Sequence, residues 1–212
     1  MLSKDIFELN YFSEEFLKNI SYKTNLNYSL NSSLSKFINY DNKDDLFKSI
    51  ICDLKSAKNF YENLNLINNY NLSFRIKSIE SCMEKLSKNI CRGNRYINTF
   101  NDILGFRLIL NEYPTYIPDY FRVVDMRNGK THDDGYRGIH LYYKLDNYHY
   151  PIEIQLNTYK DRLFADLAHQ YLYKKAFTLD FCKMVRSDFD KLSSCDENKF
   201  KEIIKKYENN NN

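Results

Sequence analysis

Lys77, Ser81 and Lys85 stand four residues apart, a spacing that lines one face of a helix. A row of ammonium and hydroxyl groups suits a polyphosphate, which needs several cationic donors at once. A solvated Lys/Glu surface is the plain alternative, since Glu80 and Glu84 lie between them. Further on, the apolar run 100–110 carries Asp102 at its start and Arg107 in its middle. A buried ion without a partner is costly, so each needs one. Either they form a structural Asp–Arg pair, or a carboxylate for Mg²⁺ lies beside a phosphate-binding guanidinium. A third set sits in 129–158. Strand alternation there puts Ile139, Leu141, Tyr143 and Leu145 on one face and His140, Tyr142 and Lys144 on the other. In the next strand Ile152, Ile154 and Leu156 point inward, and Glu153, Gln155 and Asn157 make a polar row. A sheet face of His, Lys, Glu and amide groups is a working surface or an ordinary solvated face.

The elements that must position these groups are set by periodicity and punctuation. Residues 3–20 read as a helix capped by Ser3, and 21–40 as a loop or short helix. A firm helix is predicted over 44–67, capped by Asp41, with Leu46, Ile50, Leu54, Ala57, Tyr61 and Leu64 on one side. These first seventy residues hold no catalytic grouping; they form a helical extension that packs on the rest of the chain or pairs with a second copy. From Phe74 a helix is predicted that buries Ile79, Cys82, Met83 and Leu86, with Arg75 and Lys88 near its ends. Arg92 and Arg95 flank a turn at Gly93-Asn94, two prolines mark the loop at 111–120, and FRVVDM is a short strand. A glycine-bearing loop, 129–135, feeds two strands joined at Asp146-Asn147. Residues 159–177 are predicted helical through Leu163, Leu167 and Tyr171, and 186–207 form a last charged helix before a frayed Asn tail.

A chain of 212 residues suffices for one domain with a real core plus helical extensions. Its 43% apolar content excludes a disordered chain, and a net charge of +3 is too small to mark the whole molecule as a nucleic-acid binder. Cys52, Cys82, Cys91, Cys182 and Cys195 are scattered, odd in number and form no CxxC pair, which argues for reduced thiols and against a zinc site or disulfide framework. No apolar run reaches transmembrane length and no signal-type segment opens the chain, so a cytoplasmic protein without membrane contact is expected.

Taken in order, residues 74–175 resemble the synthetase domain of the RelA/SpoT family, the (p)ppGpp synthetases. Arg75, Lys77, Ser81 and Lys85 match that family's Arg-x-Lys…Ser…Lys pattern, and Asp102 to Arg107 match Asp-(Ile/Leu)-x-Gly-x-Arg. Gly135-Tyr136-Arg137 with His140 match Gly-Tyr-Arg-x-x-His, Glu153-Ile154-Gln155 match Glu-Ile-Gln, and His169, Tyr173 and Lys174 match a downstream His-x-x-x-Tyr-Lys. The resemblance implies an α+β fold, a nucleotidyltransferase-like mixed sheet flanked by helices. It implies Mg²⁺-dependent transfer of pyrophosphate from ATP to the 3′-hydroxyl of GDP or GTP, releasing AMP. On that basis Arg75, Lys77, Ser81, Lys85 and Arg107 are expected to hold ATP. Asp102 and Glu153 are expected to serve Mg²⁺ and catalysis, and Lys130, Tyr136, Arg137, His140 and Gln155 the acceptor. The chain would then divide into a helical extension (1–72), a synthetase core (73–178) and a C-terminal helical segment (179–212), the type of a small stand-alone synthetase. His132-Asp133 is the only His-Asp dipeptide and falls inside the synthetase loop, so hydrolase activity is not expected. Three departures bear on the acceptor: Asn157 stands where the family carries Arg, the loop reads THDD rather than a basic sequence, and the stretch between Arg107 and the glycine loop is short. A tRNA 3′ end is the alternative acceptor, and a non-catalytic nucleotide- or RNA-binding module the alternative class.

Overall fold

The computed structural model describes residues 10–34, 43–66, 72–90, 92, 94–175 and 177–209. Strands β1 (Leu72–Ile76), β2 (Leu104–Leu110), β3 (Phe121–Asp125), β4 (Ile139–Tyr143) and β5 (Ile152–Thr158) form one sheet in the order β1-β2-β5-β4-β3. Among the described residues the helices are α1 (Glu14–Asn19), α2 (Lys43–Glu62), α3 (Ile79–Ile90), α4 (Tyr96–Thr99), α5 (Tyr159–Tyr171), α6 (Leu179–Asp190) and α7 (Glu197–Asn209). The fold is α+β, a mixed sheet flanked by helices, as the resemblance implies. The chain divides into two compact units that do not follow sequence order. Unit 1 takes residues within 1–108, 114–123 and 141–155; unit 2 takes 109–113, 124–140 and 156–212. No described helix is long and apolar enough to cross a membrane.

Unit 1 is built on aromatic and aliphatic groups that the sequence spaces at helical and strand periods. In α2, Ile50, Leu54, Ala57 and Tyr61 are buried on one stripe, and Asp44 and Asp45 in the first turn complement the helix dipole. β2 alternates, burying Leu104, Phe106 and Leu108 within this unit and leaving Gly105 and Arg107 on the other face. β1 pairs with it antiparallel, Phe74 opposite Phe106 and Arg75 opposite Gly105. Residues 21–34 are irregular but not loose. Asp53, 2% exposed, accepts hydrogen bonds from Thr24 Oγ1 (2.5 Å), Asn25 N (2.7 Å) and Tyr150 Oη (2.7 Å), and Tyr150 Oη lies 2.9 Å from Tyr96 Oη. A carboxylate buried this deeply is tolerable because three donors satisfy it.

In unit 2, Phe164 of α5, Phe189 of α6 and Phe200 of α7 meet edge to face with ring centroids 5.3–5.7 Å apart. Thr158 ends β5 and at once caps α5, its Oγ1 accepting from Asp161 N, while Thr178 caps α6 through Phe181 N.

Several expectations shift. Arg75 lies in a strand, since Leu72, Phe74 and Ile76 alternate along β1 against β2; the helix opens only at Ile79. The single charged helix over 186–207 is two helices, because Asp196 Oδ1 accepts from Lys199 N and restarts the chain at α7. Leu145 falls beyond β4 and is 38% exposed, so it leaves the buried face of Leu141 and Tyr143. The helix predicted over 44–67 closes at Glu62. Ser13, not Ser3, caps a described helix, accepting from Phe16 N; Ser3, Asp41, Ile67, Cys91, Gly93 and the terminal Asn run from 210 lie outside the described residues. Cys52, Cys82, Cys182 and Cys195 are free thiols.

Candidate active site

The turn into β2 and the start of α3 bring one carboxylate to two ammonium groups. Lys77 is pinned by its backbone, N donating to Ile103 O at 2.8 Å. Its Nζ then reaches Asp102 Oδ2 at 2.5 Å. Lys85, on the second turn of α3, donates from Nζ to Asp102 Oδ1 at 3.0 Å and to Asn101 Oδ1 at 2.7 Å. Burial alone would push the Asp102 carboxyl up, but Lys77 and Lys85 more than offset it and hold it below the usual carboxylate range. Asp102's partners are therefore lysines, so of the two alternatives read from the sequence the structural Asp102–Arg107 pair is not formed. Ser81 sits one turn before Lys85, exposed, its Oγ accepting from Ser78 Oγ at 3.1 Å.

A cleft in the same unit is lined by Arg75, Gly105, Arg107, Glu153 and Gln155. Alternation explains it: β1, β2 and β5 each turn their polar row to this face. Glu153 is 5% exposed and well held, Oε1 accepting from Tyr142 Oη at 2.8 Å and Oε2 from Gln155 Nε2 at 2.9 Å. Arg107 Nη2 donates to Gln155 Oε1 at 3.3 Å, so guanidinium, amide and carboxylate form a chain. Gly105 faces Glu153 directly, with Oε2 3.6 Å from where a Cβ would stand. Burial, followed by the Glu153 charge, raises the Tyr142 phenol and keeps it a donor. Tyr142 is visible in the sequence only as a member of the polar face; its alternation in register with the Glu153 row is the signal.

Of the residues expected at the acceptor, Lys130, Tyr136, Arg137 and His140 belong to unit 2, while Gln155 belongs to the unit 1 cleft. Tyr136 Oη lies 2.8 Å from His140 Nε2 and accepts from Asn157 Nδ2 at 3.2 Å; Asn157 Nδ2 also donates to Arg137 O at 2.9 Å. Asn157 is fully buried, and its Oδ1 has no hydrogen-bond partner among the described residues. Asn157 thus locks the Tyr136 ring in place of presenting a cation. Lys130 Nζ stands 4.8 Å over the Tyr136 ring and pairs with Asp134 at 2.8 Å, while Arg137 pairs with Asp133 at 2.7 Å. Arg127 pairs with Asp125, whereas Arg137 and Lys183 offset the Asp133 charge and Lys130 pairs with Asp134. Behind the loop, Asp161 accepts from Tyr113 Oη (2.6 Å), Thr158 Oγ1 (2.7 Å) and Arg186 Nη2 (2.5 Å). Arg186 Nη1 also reaches Gly135 O at 3.4 Å. Sequence offers no signal for this support, because Asp161 and Arg186 read as surface charges of two helices. His169 is exposed on α5.

Residues 74–178 match the family described as "Region found in RelA / SpoT proteins". No curated protein matches the chain. Similar solved structures include small alarmone synthetase 1 from Bacillus subtilis, at 20% identity over 78% of this chain and 94% of that one, with a TM-score of 0.42. Small alarmone synthetase 2 from the same organism is 21% identical over 74% of this chain and 88% of that one, TM-score 0.38. A GTP pyrophosphokinase family protein from Streptococcus pneumoniae is 19% identical over 68% and 81%, TM-score 0.37.

Proposed function

Residues 74–178 make this chain a member of the RelA/SpoT family, and from that premise we propose that it transfers the β,γ-pyrophosphoryl group of ATP to the ribose 3′-hydroxyl of a guanine nucleotide, GDP or GTP, releasing AMP. The observation that carries this reading is the Lys77–Asp102–Lys85 cluster, where two ammonium groups are held within 3.0 Å of one carboxylate. Phosphoryl transfer asks a protein mainly for positioning and charge stabilisation, and preassembled cations supply both. Lys77, Ser81 and Lys85 hold the ATP phosphates, and Arg75 and Arg107 add guanidinium groups that pair with phosphate or stack on adenine. Tyr136 stacks on the acceptor base, with Lys130, Arg137, His140 and Gln155 holding the acceptor.

In the reaction the 3′-oxygen forms a bond to the β-phosphorus, the bond from that phosphorus to the α,β-bridging oxygen breaks, and AMP leaves with that oxygen. Glu153 takes the hydroxyl proton, kept in orientation by Tyr142 and Gln155. Asp102 and Glu153 would hold Mg²⁺, which when bound neutralises phosphate charge. The donor chemistry fits, since both are carboxylates, Asp102 is kept ionised, and Mg²⁺ takes oxygen ligands completed by phosphates and water.

The test is purified protein with Mg²⁺ and γ-labelled ATP, offered GDP, GTP, GMP and deacylated tRNA in separate reactions. Label should move to a guanine nucleotide with release of AMP, and Glu153→Gln should lower the rate by about 10²-fold or more. Label moving only to tRNA would replace the acceptor, and nucleotide binding without transfer to any of them would make the chain a binding module.

A further inference from the structure

Asn157 is fully buried, and its Nδ2 donates to Arg137 O at 2.9 Å and to Tyr136 Oη at 3.2 Å. The reverse amide orientation would set Oδ1 against the Arg137 carbonyl, acceptor against acceptor, so the direction of these bonds is fixed. Tyr136 Oη, accepting from Asn157, turns its own proton to His140 Nε2 at 2.8 Å. The His140 ring meets the Tyr136 ring edge on, with centroids 5.6 Å apart. At its other end Tyr136 is tied through the backbone, N donating to Asp134 Oδ1 at 3.1 Å, and Lys130 Nζ stands 4.8 Å over the ring. Held at both ends, this ring is nevertheless half-buried and takes no part in the hydrophobic cluster around Phe164. Asn157 in turn carries a buried Oδ1 that no described residue bonds, a cost that leucine, of similar volume, would avoid. Neither feature serves packing; both hold the Tyr136 ring in one orientation.

Resting on the transfer reaction above, in which Tyr136 stacks on the acceptor base, we propose that Asn157 is a positioning residue for acceptor recognition, setting the Tyr136 ring before the base arrives. An aromatic platform already in its stacking orientation loses less rotational freedom on binding than one that must be ordered by the ligand. Without the Asn157 donor the phenol loses an anchor, and part of the stacking free energy goes into ordering the ring. The effect falls on acceptor affinity. It spares ATP, whose Lys77–Asp102–Lys85 cluster belongs to the other unit, and it spares the bond-making step.

The experiment measures kcat and KM for GDP, GTP and ATP, by AMP release with Mg²⁺ present, in the parent, Asn157→Leu, Tyr136→Phe and the double variant. Tyr136→Phe keeps the stacking ring and removes Oη. Each single variant should raise KM for both guanine nucleotides about fivefold, with kcat and the KM for ATP within about twofold of the parent. The two effects should not multiply, because Asn157 acts through Oη, so the double variant should match the weaker-binding single one. Multiplied effects, an equal rise in KM for ATP, or an unmoved KM for GDP and GTP in folded variants overturns the proposal while leaving pyrophosphoryl transfer intact. Asn157→Leu also leaves Arg137 O without its donor. Should it fail to fold by circular dichroism, Tyr136→Phe, which spares that bond, decides alone: the fivefold rise confined to the guanine nucleotides supports the proposal, and no rise overturns it. A parent that releases no AMP with any acceptor removes the transfer reaction itself and this positioning role with it.

Discussion

Asp161 and Asp102 are held ionised by their partners, and that fixes how they respond to pH. Asp161 shows the principle without involving a substrate. Burial would raise its carboxyl, but Tyr113, Arg186 and Thr158 together more than offset that and lower it. A carboxylate whose folded pKa is depressed contributes stability above its unfolded value, near 3.9, and loses it as pH falls through the folded value. The same sign holds for Asp102, so neither group should make stability vary between about pH 5 and 8. Asp161→Asn leaves Arg186, 6% exposed at its side chain, short of one counter-ion. It should therefore cost about 3–5 kcal/mol at pH 7. Urea unfolding at pH 7 and pH 3 should show parent and variant converging in acid; an equal gap at both would assign the loss to packing. Asn157 shows the limit of reading residues alone. In the sequence it is a missing cation, whereas its burial behind Gly138 and its bonds to Tyr136 and Arg137 become visible only when β5 is laid beside β4. A Cβ on Gly138 would lie 2.7 Å from Asn157 Nδ2 and 2.8 Å from Tyr136 Oη, so the glycine is part of the lock.

At the scale of elements, period-two alternation is the most legible feature. It identifies β4 and β5 and the polar row of Glu153, Gln155 and Asn157, while β2 is read as an apolar run. It fails where an element is short or a break lies in polar sequence. Arg75 reads as helical because three alternating apolar residues in β1 are too few to outweigh the helical spacing beyond them. The break between α6 and α7, residues 191–196, reads Lys-Leu-Ser-Ser-Cys-Asp, with no Gly or Pro to mark it. Asp53 gives no signal at all, since its partners Thr24 and Tyr150 are remote in sequence and an acid in an amphipathic helix reads as surface. The glycine loop is legible for its flexibility, and the structure says which glycine matters most. Gly135 has φ +85° and a Cβ there would meet two atoms of the Phe164 ring at 2.8 Å. Gly135→Ala combines a left-handed backbone with overpacking and should destabilise by about 2–4 kcal/mol. Gly105, where the nearest contact is an ordinary 3.6 Å, should tolerate Ala with a far smaller loss. Thermal unfolding of both variants distinguishes the two positions; equal losses would mean that φ and the Phe164 contact do not decide the outcome.

For the whole molecule, the described residues before 73 fall in the same compact unit as β1 and the start of β2. Phe12 packs on Phe106 with ring centroids 5.0 Å apart, and Tyr150 donates to Asp53. A chain beginning at residue 73 would strip both from unit 1, exposing Phe106 and leaving the buried phenol of Tyr150, which meets Tyr96 Oη at 2.9 Å, without its carboxylate acceptor. Such a chain is expected to lose cooperative unfolding and its near-ultraviolet tyrosine signal; a sharp, parent-like transition would show that residues 73–212 fold alone. The Asp53–Tyr150 bond also sets a timetable. Its partners are 97 residues apart, so on a ribosome adding about 5–20 residues per second Asp53 waits roughly 5–20 s for Tyr150 to be made. Through that interval the newly emerged α2 carries an apolar stripe and an unmet acid, a nascent chain whose N-terminal third must be shielded until β5 arrives.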